Sequence, residues 1–135
     1  MKTFEVIVQF TTNFLGAGKR VNGVRKLERS KIGSILLPVK ELKNEVKAPY
    51  TWNLKDIGDV RVNILRRIYN RVRVDRFEGI EKGTRVTLEL EVDAQADLPR
   101  VTQLAEKLGK SGISQWGRKF NCGKFKVIAI TNKNL

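Results

Sequence analysis

Phe4, Val6, Val8 and Phe10 alternate with Glu5, Ile7 and Gln9, a period of two that fits a strand with one buried face. The run from Arg85 to Val92 repeats the pattern, with Val86, Leu88, Leu90 and Val92 opposing Arg85, Thr87, Glu89 and Glu91, so this strand is expected to keep one wet face. Near the other end Phe125, Val127 and Ala129 alternate with Lys126, while Ile128 and Ile130 make the second face apolar too. That predicts a strand central in its sheet. Val60, Val62 and Ile64, then Val72 and Val74, alternate with Arg61, Asn63, Arg71, Arg73 and Asp75, which reads as two strands joined near Tyr69 and Asn70.

Two helices separate these strands. Pro38 suits a first turn, Val39, Leu42 and Val46 fall on one face, and the helix ends before Pro49. Asp97 is a natural N-cap, with Pro99 behind it, Val101, Leu104, Ala105 and Leu108 on one face, and Gly109 as the stop. The order is strand, helix, strands, strand, helix, strand. This is an α+β chain with the ferredoxin-like βαββαβ plan of RNA-recognition modules, an antiparallel sheet backed by two helices, with long basic loops. A length of 135 residues without repeats or a linker fits one domain, 1–135.

Charge narrows the function. Lysine and arginine number 27 against 14 aspartates and glutamates, a net charge of +13, and a pI near 10.2 is the footprint of a nucleic-acid binder. No run approaches the ~18 apolar residues of a membrane span, and Met1 to Glu5 lack a signal-peptide core. A cytoplasmic protein without a membrane partner is expected. The chain has no histidine and a single cysteine, which excludes an intrachain disulfide and a Cys/His zinc site. Cys122 has no histidine to activate it and reads as a small residue packed in a tight loop. Gly16-Ala17-Gly18-Lys19 lacks the spacing and the Ser/Thr of a phosphate loop, and the acidic residues are too scattered for magnesium. No catalytic residue, metal or cofactor is expected.

Binding residues fall in three basic stretches. The first, Thr11 to Gly33, sets Gly16, Gly18, Gly23 and Gly33 beside Lys19, Arg20, Arg25, Lys26, Arg29 and Lys31, too long for a tight connection and of the kind that either serves function or is disordered. The second holds Arg61, Arg66, Arg67, Arg71, Arg73 and Arg76. Such arginines blunt strand edges, yet a cluster this dense repels itself without an anionic partner. Tyr69, with cations on both sides, is its stacking candidate. Tyr50 and Trp52 fit a core plug better. The third is the loop from Gly109 to Phe125, where Gly112, Gly117 and Gly123 permit close backbone approach, Arg118, Lys119 and Lys124 meet phosphates, and Trp116 stacks on a base. The alternative places Trp116, Phe120 and Phe125 in the core.

Three of these pieces carry a resemblance. Val6 to Gly18, with its turn at Gly16-Ala17-Gly18, is similar to the opening strand and turn of the repeat-associated mysterious protein superfamily, the RNA-binding subunits and processing nucleases of CRISPR systems. Ile35 to Lys43, with Pro38 and Lys40, resembles that family's strand-to-helix junction and its lysine. Gly112 to Phe125 resembles its C-terminal glycine-rich loop. Asn13 stands where the family often has proline, and the glycines here are more widely spaced. Ser111-Gly112-Ile113-Ser114-Gln115-Trp116-Gly117 also resembles small bacteriophage proteins with a Gly-x-x-Gln-Trp step. The family's nucleases commonly use a histidine, which this chain lacks. The resemblance therefore implies RNA binding without cleavage by a phage-encoded relative, in the host cytoplasm. The expected partner is single-stranded RNA or, second, DNA. A host or viral protein complex is a further candidate partner, and two rivals remain: a viral accessory protein that binds and inhibits a host protein such as a nucleic-acid-processing complex, and a metal-independent ribonuclease using Tyr69 or Lys119. The oligomeric state stays open.

Overall fold

The computed structural model describes residues 2–29, 31, 35–36, 51–55, 60–69, 73–92, 97–113 and 121–133. In chain order the elements are β1 (Lys2–Phe10), β2 (Phe14–Leu15), β3 (Arg20–Val21), β4 (Val24–Arg25), β5 (Ile35–Leu36), β6 (Thr51–Lys55), β7 (Asn63–Tyr69), β8 (Arg73–Ile80), β9 (Arg85–Val92), α1 (Leu98–Ser111) and β10 (Phe125–Asn132). Among the described residues α1 is the one helix. The helix expected from Pro38 to Lys47 lies outside them.

The main sheet has the order β10-β1-β9-β6-β5, and its pairs are all antiparallel. The alternation in β1 and β9 works as the sequence demands: Phe4 faces Leu90, Val6 faces Leu88 and Val8 faces Val86, all buried with Phe10 and Val92. Helix α1 closes this face with Val101, Leu104, Ala105 and Leu108. The valine and the two leucines each contribute about 1.5–3 kcal/mol on burial, and the alanine methyl about 0.8 kcal/mol. Its N-terminus is capped by Asp97, whose Oδ1 accepts the Arg100 N–H at 3.0 Å. The helix carries the chain from β9 across β1 to β10, so β9 and β10 run parallel with β1 between them.

Gly109 is not the helix stop. The helix continues to Ser111 and ends at Gly112, whose φ of 90° turns the chain while its N–H reaches the Leu108 carbonyl. Gly109 serves close packing instead: a Cβ there would lie 2.3 Å from the Phe125 carbonyl oxygen of β10.

Strand β10 is not central either. Among the described strands it pairs with β1 alone, and Ile128 is 38% exposed. Its two apolar faces are one face interrupted by a β-bulge. Val8 pairs with Val127 and Ile7 with Ala129, so Ile128 is the extra residue, and the phase flips there. Phe125, Val127 and Ile130 thus all lie against the core side of β1, opposite Phe10, Val8 and Val6.

The segment at Trp52 forms β6, which joins the main sheet beside β9. The two strands expected between Val60 and Asp75 are β7 and β8, an antiparallel pair that belongs to a second sheet. Val60 and Val62 precede β7 and pack on the core. Strand β8 is the spine of that sheet, with β7 on one edge and β2 and β4 sharing the other. Leu15, Phe77 and Cys122, with Leu65 against them, form its small core; the cysteine is buried in a tight loop, as its size suggests.

Candidate nucleic-acid interface

The stretch from Thr11 to Gly33 is folded where described. Val21 and Val24 pair across Asn22 and Gly23, whose φ values of 51° and 77° mark a two-residue hairpin turn of the left-handed kind that asparagine-glycine favours. Gly16 and Gly18 pack against the return limb of the hairpin: a Cβ at either would meet the Lys26 carbonyl oxygen, at 2.7 and 2.9 Å. The Gly18 N–H donates to that same carbonyl at 2.7 Å, and Lys26 returns a bond to Lys19 O at 3.0 Å. The glycines let the two limbs of the hairpin close.

That closure brings together the cations of the first two basic stretches. Arg20 stands opposite Arg25 in the β3–β4 ladder, and Arg66 opposite Arg76 in the β7–β8 ladder. Like charges set opposite each other destabilise a sheet. Asp75 lies 3.9 Å from Arg20, and Arg25 Nη1 donates to Gly18 O at 3.2 Å. Glu78 binds the return limb: its Oε1 accepts the Leu27 N–H at 3.1 Å and an Arg29 N–H at 3.0 Å, and Lys26 Nζ is 3.5 Å from Oε2. Burial pushes the Glu78 carboxyl up, but the Leu27 and Arg29 hydrogen bonds and the charges of Arg29 and Lys26 outweigh it, holding its pKa below the ordinary glutamate value. Among the described residues no carboxylate pairs with Arg66 or Arg76.

Ladder partners project to the same side of a sheet. Val21, Val24, Arg76 and Arg66 therefore form one row across β3, β4, β8 and β7, and Arg20, Arg25, Phe77 and Leu65 form the row behind it. The rear row ends in the small core. The front row is exposed at Val21, Arg66 and Arg76. Lys19 is exposed at the base of the hairpin. In the β7–β8 ladder Arg67 stands opposite Asp75 and Tyr69 opposite Arg73.

The C-terminal loop divides. Trp116, Gly117, Arg118 and Lys119 lie outside the described residues, as do Lys40 and Arg71. Its flanks hold the fold together: Gly112 ends α1, and Gly123, with φ 71°, donates to Asn13 O at 2.7 Å and accepts from Ile113 N at 3.1 Å. The half-buried Lys124 donates its N–H to Thr12 Oγ1 at 2.9 Å. Phe125 is a core residue, edge-on to Phe10 with ring centroids 6.3 Å apart.

The face of the main sheet away from α1 is mixed in charge. On β1 and β9 it carries Thr3, Glu5, Ile7 and Gln9 opposite Glu91, Glu89, Thr87 and Arg85, with no ring for a base to stack on. Lys133 bridges Glu89 at 2.8 Å and Glu5 at 3.9 Å. Among the described residues no group of three or more His, Cys, Asp or Glu is placed to hold a metal ion, and no helix is long and apolar enough to cross a membrane. Sequence reasoning passed over Asn22-Gly23, flanked by two valines, and Glu78, whose partners lie about fifty positions away. No protein-family model matches this chain, and a search of characterised proteins returns no match.

Proposed function

We propose that this domain binds single-stranded nucleic acid, RNA in preference to DNA, through phosphates and without cleaving it. One observation carries the reading: the β7–β8 ladder places the exposed Arg66 opposite the exposed Arg76 with no carboxylate on either among the described residues, an arrangement that an anionic partner relieves. The ferredoxin-like assignment is supported by β10, β1, β9 and β6 of the main sheet, whose spatial order matches the fourth, first, third and second strands of that plan, with a helix between the third and the fourth. The preference for RNA, and kinship with the CRISPR-associated RNA-binding superfamily through a phage relative, rest on the motifs at Val6–Gly18, Ile35–Lys43 and Gly112–Phe125. Glu5, Glu89 and Glu91 on the outer face of the main sheet point to the basic sheet and loops as the binding surface. Fluorescence anisotropy with labelled single-stranded RNA, single-stranded DNA and duplex over a salt series tests it. The affinity for single strands should fall with log salt by about 0.7 per phosphate contact. Absence of binding to all three near 50 mM salt, on the order of the low-salt limit for such comparisons, overturns the reading.

A further inference from the structure

The row Val21, Val24, Arg76, Arg66 spans four adjacent strands, about 14 Å at the ordinary strand spacing. Ile64, two residues before Arg66 on the same side of β7, is 52% exposed, and Val21 at the other end is 47% exposed. The arginine pair thus sits between aliphatic side chains that the fold leaves in water. Glu78, opposite Ile64 on this side of the sheet, already holds the Leu27 N–H, Arg29 and Lys26, so it does not cancel the arginines. The hairpin also places Arg76: a Cβ on Gly23 would lie 3.1 Å from Arg76 Nη2, so the guanidinium runs beneath the turn. We infer that this row, with Ile64, is a platform for an unpaired polynucleotide segment, Arg66 and Arg76 holding phosphodiester oxygens while Val21 and Ile64 lie against exposed bases or sugars.

The assignment rests on the nucleic-acid reading above and deepens it. A duplex offers phosphates outward and keeps its bases stacked inside, so it can use the arginines but not the aliphatic flanks. An unpaired strand uses both. The aliphatic flanks Val21 and Ile64 carry no donors or acceptors for base edges, and the two arginines are committed to phosphates, so the platform selects strandedness over sequence.

Two double variants separate these contributions, each first checked for an unchanged thermal melt. Arg66→Gln with Arg76→Gln should weaken binding of labelled oligouridine and of duplex RNA, and lower the oligouridine salt slope by about 1.4, two contacts at ~0.7 each. Val21→Ser with Ile64→Ser should weaken oligouridine about fivefold, the order expected for lost apolar contact, with the salt slope and duplex binding unchanged. Parental affinity and slope in the arginine variant overturn the platform while leaving binding elsewhere on the molecule. An aliphatic variant that weakens both ligands equally, or neither, overturns the unpaired-strand assignment. A parent that binds neither ligand overturns the reading beneath it.

Discussion

Glu78 shows how one side chain ties two distant stretches of chain. It stands on β8 and holds the return limb at Lys26, Leu27 and Arg29. Its folded pKa lies below the ordinary 4.5, so its stabilisation is complete above that value and is lost as pH falls through the folded one. Glu78→Gln should therefore cost about 1–2 kcal/mol near neutral pH, a charged hydrogen-bond set discounted for the exposure of its cationic partners. The difference between parent and variant should shrink in urea melts taken below pH ~4. An equal difference at both pH values would mean that the carboxylate's charge is irrelevant. Gly109 makes the opposite argument, from space alone. Alanine favours a helix, yet with 2.3 Å to the Phe125 carbonyl Gly109→Ala should lower stability by about 1–3 kcal/mol through overpacking, whereas Lys110→Ala, one position on and exposed, should change it by less than ~0.5 kcal/mol.

Elements were legible in the sequence to the extent that their periodicity was uninterrupted. Strands β1 and β9 follow from alternation because nothing breaks it, and Asp97 with Pro99 announces α1. Strand β10 misled because a bulge at Ile128 turns a one-faced pattern into an apparent two-faced one. Strand β6 is only five residues long, too short for alternation to stand out. The β7–β8 alternation reveals strands but carries no information on which sheet they join, since that depends on the β2 and β4 segments that arrive on the far edge of β8. The candidate site was legible as charge and not as geometry: Arg66 could be chosen from its neighbours in sequence, but its pairing with Arg76 comes from the ladder. The turn at Asn22-Gly23 offers a test at this scale. Gly23→Val meets both a φ of 77° and the Arg76 guanidinium, a strain of about 1–3 kcal/mol that the short hairpin must bear. Hydrogen exchange should quicken at Gly18 and Lys26, whose amides close the hairpin, while β1 and β9 keep their protection. Uniform loss of protection across both sheets would contradict the independence of the hairpin.

At the scale of the whole molecule, positive charge dominates. With 27 cations, 14 anions and no histidine, the chain is equipped to hold a polyanion and poorly equipped to shuttle protons near neutral pH. Single-stranded RNA incubated with the protein for hours, with or without magnesium, should be recovered intact on a denaturing gel; cleavage at defined sites that Tyr69→Phe or Lys119→Ala abolishes would establish a nuclease. The net charge of +13 also keeps copies of the molecule apart, and this gives the bulge at Ile128 a colloidal meaning. Removing Ile128 outright would leave Val8 with Val127 and Ile7 with Ala129 as they are now, so the shortened strand should fold with an unbroken ladder. Its outer edge would then be straight, a template for intermolecular pairing of the kind that bulges prevent. The shortened chain should stay dispersed in dilute buffer, where repulsion between copies is long-ranged, and precipitate as salt or bound polyanion screens it.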